Sequence, residues 1–298
     1  MAWRGVHISK PARLKLRDHQ LVVLQDDGEV ALALEDLAWL ILDTPQITIT
    51  GALLSALVQS NVAMIVPDAK RHPAGMLLGF HQHHAQAHIG HLQIGISQPL
   101  KKRLWQMLVV AKIQNQAALL QQLQRPQAST LNSMARRVTS GDPENLEAQA
   151  ARVYWPSLFS NFIRADQADR RNALLDYGYA VVRAALARAC VASGLLPTFG
   201  VHHASKTNAF NLVDDLIEPL RPFVDQLVAE RAPLGASETL DVEDRRQMAT
   251  ILGRPASLGH DQMTLLATTE LVAASLVRAI ESSSAALLCT PALAKSSG

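Results

Sequence analysis

Between Gly200 and Pro222 the chain reads GVHHASKTNAFNLVDDLIEPLRP: two adjacent histidines, three carboxylates, and an arginine between prolines. On a helix, Asp214 and Glu218 lie four apart and Asp215 and Glu218 three apart, which gathers the carboxylates on one side. Like charges so placed repel by ~0.2–0.5 kcal/mol unless a cation or base offsets them. Pro219 disfavours helical geometry at Glu218 and removes one hydrogen bond, so a break there frees backbone groups beside the acids. His202 and His203 lie across ASKTNAF and are able to fold back as imidazole ligands. Imidazole with carboxylates suits Mg2+ or Mn2+ with waters retained. A helix start dressed with acids explains the same residues without a metal.

Two other stretches compete for attention. HQHHAQAH, residues 81–88, with His91 beyond, places His84 and His88 four apart and His88 and His91 three apart, a spacing that on a helix permits zinc binding. Neither an HExxH glutamate nor a cysteine accompanies them, so the signal is weak and the reading preferred is an exposed interdomain linker with solvated histidines. GDPENLEAQAARVYWPSLF, residues 141–159, sets Glu147 among small residues with Tyr154 seven further on and on the same helical face. Glu147 alone reads as a helix-start acid. Tyr154 either packs against a sugar or base or fills the core.

The elements that must position these residues divide the chain. RLKLRDHQLVVLQDDGEVALAL alternates apolar and polar residues around Asp26-Asp27-Gly28, a hairpin signal. LAWLILD, QITIT and VAMIVPD add β-rich runs, and GALLSALVQSN between them has helical leucine spacing. From about residue 98, PLKKRLWQMLVVAKIQNQAALLQQLQ opens a region of helical periodicity. It continues over about 145–162, 170–193, 213–230, 241–252 and 263–283. The expectation is an α+β protein: a small β-rich N-terminal domain over 1–80, a linker over 81–97, and a larger all-helical C-terminal domain over 98–298.

Among the 298 residues, 48% are hydrophobic and 18% charged, which excludes a disordered chain. Lys+Arg of 28 against Asp+Glu of 26 leaves a formal +2, so any polyanion must be met by local clusters. Lys101-Lys102-Arg103, Arg136-Arg137, Arg170-Arg171 and Arg245-Arg246 are such clusters, each as well read as a solvated helix face. Cys190 and Cys289 fit a reduced protein without a disulfide framework, and both read as small core residues. The N-terminus has no signal-peptide pattern and no apolar stretch reaches membrane length, so the expected location is the cytoplasm.

Taken together, NLEAQAARVYW and, some fifty residues later, GVHHASKTNAFNLVDDLIEPLRPFVD resemble the CRISPR-associated spacer-acquisition integrase, the universal adaptation nuclease of CRISPR systems. MAWRGVHISKPARLKL…LEDLAWLILDTPQITIT is similar to versions that accompany single-effector, type II systems. The resemblance covers nearly the whole chain. It implies a metal-dependent DNA endonuclease and integrase of antiviral defence, in which 3′-hydroxyls of a short duplex attack phosphodiesters of the CRISPR repeat. It implies one Mg2+ or Mn2+ held by Glu147, His203 and Glu218, with His202 as a one-residue alternative. Asp215 becomes an alternate ligand or a support behind the ligands, and Arg221 and Lys206 phosphate contacts beside the metal. It further implies a homodimer through the β-rich lobes, two dimers flanking a small partner subunit, and double-stranded protospacer and repeat DNA. The effector nuclease is a further candidate partner. Two alternatives stand beside it: a non-catalytic DNA-binding scaffold, and a zinc hydrolase built on the His81–His91 cluster.

Overall fold

The computed structural model describes residues 4–69, 71, 73–79, 83–231 and 240–294. The N-terminal lobe runs β1 (Arg4–Ile8), β2 (Ala12–Arg17), β3 (Gln20–Gln25), β4 (Gly28–Ala33), β5 (Leu37–Leu42), β6 (Ile47–Ile49), α1 (Gly51–Gln59), β7 (Ala63–Pro67) and β8 (Pro73–Leu77). One sheet has the order β4-β3-β2-β6, and its β3–β4 hairpin turns at Asp26-Asp27 as the alternation predicts. The other has the order β1-β5-β7-β8, with β1, β5 and β7 parallel.

All six residues of β5 are buried, because this sheet is covered on both faces. Leu40, Leu42 and Met64 join the N-terminal core with Leu14, Leu21 and Leu53. Trp39, Ile41 and Ile65 turn the other way and join the core of the helical lobe. The period-2 alternation of a strand thus ties the two lobes together.

The rest comprises α2 (Gln86–Ile94), α3 (Gln98–Gln122), α4 (Ala128–Arg137), α5 (Leu146–Leu158), α6 (Arg170–Ala192), α7 (Asn211–Leu216), α8 (Arg221–Glu230), α9 (Val242–Ala249) and α10 (Leu265–Glu281). It departs from the expected all-helical domain in one place. Strands β9 (Pro255–Leu258), β10 (Asp261–Thr264) and β11 (Ala292–Leu293) form a small sheet in the order β10-β9-β11. Pro255 cannot continue a helix and Gly259 supplies a turn at φ 64, so Met263, read from sequence as a helix start, pairs with Ala256 instead. The expected linker 81–97 also contains a helix, α2. Gln93 docks it by donating to the carbonyls of Leu196 and Phe199 and accepting from the Leu196 amide. No described helix is long and apolar enough to cross a membrane.

A buried ion pair locks the lobes. The fully buried Asp43, at the end of β5, receives Arg245 Nε of α9 at 2.8 Å on both oxygens, and His7 Nε2 lies 3.2 Å away. Burial pushes the Asp43 carboxyl up, but His7 and Arg245 outweigh it and hold it below its ordinary value. Removing one partner of such a pair strands the other charge in the interior. Arg245→Met should therefore lower unfolding free energy in urea by ~3–5 kcal/mol, with Asp43→Asn/Arg245→Met recovering part of the loss. Equal stability of Arg245→Met and the parent chain would contradict the locking role.

Candidate active site

Glu147 is set by a tight turn before α5. Gly141 at φ 83 lies against the Lys102 side chain, and Asp142 and Asn145 also have positive φ. Asp142 accepts the amides of Leu146 at 2.9 Å and Glu147 at 3.0 Å, satisfying helix-start donors that would otherwise lack partners. Glu147 therefore leaves the first turn of α5 in a fixed direction.

The second acid comes from the broken helix. α7 stops at Leu216, a single 3-10 turn spans Glu218–Leu220, and α8 restarts at Arg221. The break scatters the three carboxylates that helical spacing would gather. Asp214 binds Arg183 at 2.7 and 3.0 Å and accepts from Asn208, while Asp215 faces the histidine loop and Glu218 faces α3.

Glu147 and Glu218 meet on a cation the sequence reading did not select. Lys112 of α3 donates from Nζ to Glu147 Oε1 and to Glu218 Oε2. Arg221 donates from Nε to the other Glu218 oxygen at 2.8 Å, and its guanidinium lies 4.7 Å from the Tyr179 ring centre. Two carboxylates thus face two cations. Burial pushes the Glu218 carboxyl up, yet Lys112 and Arg221 prevail and hold it at about 2. Burial likewise works against the Lys112 charge, and Glu218 and Glu147 reverse that and raise its pKa. One ion pair at 4 Å is worth ~4 kcal/mol at an effective dielectric of 20, while desolvation costs several kcal/mol per ion, so the group must be held as a network.

His203 is presented by a loop wrapped around Asp215. The fully buried Asp215 carboxylate accepts the amides of Val201, His202 and His203 at 2.7, 3.0 and 3.0 Å, and pairs with His203 Nδ1 at 2.7 Å. That hydrogen bond raises the His203 pKa against the opposing effect of burial. With Nδ1 engaged, Nε2 is the ring nitrogen left for a ligand, the arrangement typical of metal-bound histidine. His202 goes elsewhere: its ring stacks on Trp105 of α3, with centroids 4.0 Å apart and planes within 4°. Gly200 is needed for this loop, because a Cβ there would stand 2.4 Å from the His203 carbonyl oxygen and 2.6 Å from Asp215 Oδ2.

Tyr154 takes the core role. It is fully buried, and its hydroxyl donates to Asp225 at 2.8 Å; Tyr179 donates to the same carboxylate. Burial raises the Asp225 carboxyl to about 6 despite both hydroxyls. Beside Glu218 and His203 opens a cleft of 420 Å³ walled by Arg164, Arg183 and Arg221. Lys206 is exposed on the loop after His203. Several basic pairs serve the fold instead: Arg170 binds Asp244, Arg171 binds Asp169, and Arg245 binds Asp43. Lys102, Arg103, Arg136 and Arg137 are exposed and Lys101 is half-buried.

His84 lies in the turn before α2, so the helical pairing with His88 does not form, and His91 Nδ1 pairs with the Ala87 carbonyl. His81 lies outside the described residues. Among the described residues, no three His, Cys, Asp or Glu side chains stand as a ready-made metal cage. Three α3 residues escaped the sequence reading: Trp105, Lys112 and Asn115, the last donating to the Pro219 carbonyl at 2.8 Å. They share one face with Leu108 and Leu119, so the available signal was a lysine and an asparagine standing in an apolar stripe.

The pattern of a family described as CRISPR associated protein Cas1 matches residues 6–254. The CRISPR-associated endonuclease Cas1 of Neisseria meningitidis serogroup C (strain 8013) is 41% identical over 229 residues, 76% of this chain and 75% of that one. Among solved structures, a casposase bound to integration product aligns with a TM-score of 0.75 at 18% identity, covering 94% of this chain and 90% of that one. A chain of a Cas6-RT-Cas1–Cas2 complex gives a TM-score of 0.75 at 19% identity, covering 96% of this chain and 36% of that one. At such identities the structural likeness establishes the fold.

Two variants probe the geometry. Gly200→Ala forces backbone and carboxylate apart, and should cost ~1–3 kcal/mol in urea unfolding, as overpacking does elsewhere; an unchanged midpoint and slope would refute the close packing. Asp225 bears on pH. Its folded-state pKa of about 6, above the ordinary 3.8, means the folded protein retains a proton that the unfolded chain releases. Its contribution to stability is therefore fully present below pH 3.8 and is lost as pH rises to about 6. Asp225→Asn should gain in melting temperature relative to the parent as pH rises through that window, and parallel pH profiles would exclude the buried-acid assignment.

Proposed function

The chain belongs to the CRISPR-associated Cas1 family, and we propose that it is a divalent-metal-dependent DNA endonuclease and integrase that inserts short DNA fragments into a CRISPR array. The observation that carries this reading is the convergence of Glu147 and Glu218, from distant segments, on one cationic position beside an arginine-walled cleft that His203 also faces.

The donor set fits a hard divalent ion. Two carboxylates and one imidazole supply charge while leaving coordination positions open, and the space between Glu147 and Glu218 already accommodates a positive charge. Glu147, His203 and Glu218 would hold Mg2+ or Mn2+. When bound, the ion supplies polarisation of the attacking and leaving oxygens of an in-line phosphoryl displacement.

The chain's own residues do the rest. Arg164, Arg183 and Arg221 bring three guanidinium groups to the cleft wall, each also paired with a carboxylate (Asp176, Asp214 and Glu218), and the exposed Lys206 on the loop after His203 is a further proposed phosphate contact. Asp215 fixes the His203 ring and its loop. In the reaction, a DNA 3′-hydroxyl oxygen forms a bond to a repeat phosphorus and gives its proton to solvent, while the bond from that phosphorus to its 3′-oxygen breaks and the leaving oxygen takes up a proton from solvent, becoming a new 3′-hydroxyl. The number of phosphodiester bonds is conserved, so no external energy source is required.

The proposed partners are double-stranded protospacer and repeat DNA, a second copy of the chain, and a small subunit of the kind named with Cas1 in the Cas6-RT-Cas1–Cas2 complex. The outer edge of β4 supports self-association: Gly28 to Ala31 are exposed, with Val30 at 56%.

The test is strand transfer of a labelled short duplex into a supercoiled plasmid carrying the cognate leader and repeat, with the small subunit and Mn2+. The parent chain should join label to plasmid, and Glu147→Ala, His203→Ala and Glu218→Ala should each lose at least ~10²-fold, the scale of removing one electrostatic contributor. Chelator should abolish joining. Full activity in all three variants would dismiss the assignment, and DNA binding without product under any divalent ion would favour the scaffold reading.

A further inference from the structure

Lys112 occupies the point between the two acids assigned to the metal. Its ammonium touches one oxygen of each, and it is almost wholly enclosed, with 9% of its side chain exposed. Arg221 completes a neutral quartet, two positive charges against two negative. Such a quartet is stable as it stands but cannot take up a divalent cation unchanged. Adding two positive charges beside two buried cations creates repulsion that grows as the local dielectric falls. One cation must give way or acquire a new anion.

The geometry identifies which one. Arg221 sits to the side, on Glu218 Oε1, with its guanidinium 4.7 Å from the Tyr179 ring centre, whereas Lys112 lies directly between Glu147 and Glu218. A lysine ammonium rides on a flexible four-carbon stem and is able to withdraw along it; an arginine fork is rigid and bulkier. We propose that Lys112 is a built-in counter-ion: it holds Glu147 and Glu218 together in the metal-free protein and is displaced from them when the divalent ion binds. Lys112 therefore acts through the two carboxylates as a positioning residue. The proposal rests on the metal assignment above and goes beyond it by specifying a competition between two cations for one site.

The experiment measures metal binding without DNA or turnover. Mn2+ affinity is determined by titration calorimetry, and melting temperature is recorded in chelator and in Mn2+, for the parent chain, Lys112→Met and Lys112→Arg. Lys112→Met leaves two acids without their counter-ion. It should melt lower than the parent in chelator, regain more on adding Mn2+, and bind Mn2+ about tenfold or more tightly than the parent, since nothing has to be displaced. Lys112→Arg keeps the charge but is less able to withdraw, and should bind Mn2+ more weakly than the parent.

Lys112→Met binding Mn2+ no more tightly than the parent overturns the counter-ion role. If Lys112→Met does not fold, equal Mn2+ affinity of the parent and Lys112→Arg overturns it, and weaker binding by Lys112→Arg supports it. A parent chain that binds no Mn2+ in calorimetry, and whose melting temperature Mn2+ does not move, overturns the metal assignment itself. The failures of the two readings are thereby told apart.

Discussion

Two ionised carboxylates brought together inside a protein from segments some seventy residues apart repel unless a positive charge or a shared proton offsets them, and here Lys112 supplies the charge. Much of the helical lobe is arranged around that requirement. Lys112 must be buried at a fixed depth on α3, and α3 is accordingly the longest helix among the described residues, running from Gln98 to Gln122 through the lobe's core. The acid-bearing segments are brought to it by turns rather than by regular helix. A strained turn capped by Asp142 delivers Glu147, and the break at Pro219 delivers Glu218.

The same face of α3 fixes the other parts of the site. Trp105, two turns before Lys112, seats the His202 ring and so helps hold the loop that presents His203. Asn115, one turn after Lys112, binds the Pro219 carbonyl and also donates to Pro291 and accepts from Leu293, so the C-terminal strand is tied to the turn carrying Glu218. A single rigid helix therefore sets the relative positions of all three candidate ligands, as a site needs when small displacements carry large penalties. Beneath them, Asp225 between Tyr154 and Tyr179 forms a satisfied polar core under Arg221, which keeps that guanidinium in line with Glu218.

The β-rich lobe is joined to this framework by shared packing and by one buried ion pair. Alternate residues of β5 and β7 enter both cores, and Asp43–Arg245 closes the seam. A lobe fastened in this way fixes the direction in which its free β4 edge faces relative to the cleft. That rigidity matters if a second copy is to be held at a set distance from the DNA.

The amino-acid sequence alone determined much of the order of elements, because hydrophobic period is a local property: alternation marked the β3–β4 hairpin, helical spacing marked α3 and α6, and Pro219 marked the break at Glu218, whereas α2, α4 and the sheet of β9, β10 and β11 were not legible in it. Through the family resemblance of two short motifs it also singled out Glu147, His203 and Glu218 as candidate ligands. Only the tertiary structure decided how these residues are used. It separated Asp214, Asp215 and Glu218 onto three different partners, turned Tyr154 inward, and spent Arg170, Arg171 and Arg245 on internal pairs. It also brought Lys112 between two acids. A charge in an apolar stripe is explained by what lies opposite it in space, and that opposite wall comes from chain segments whose approach no local spacing encodes.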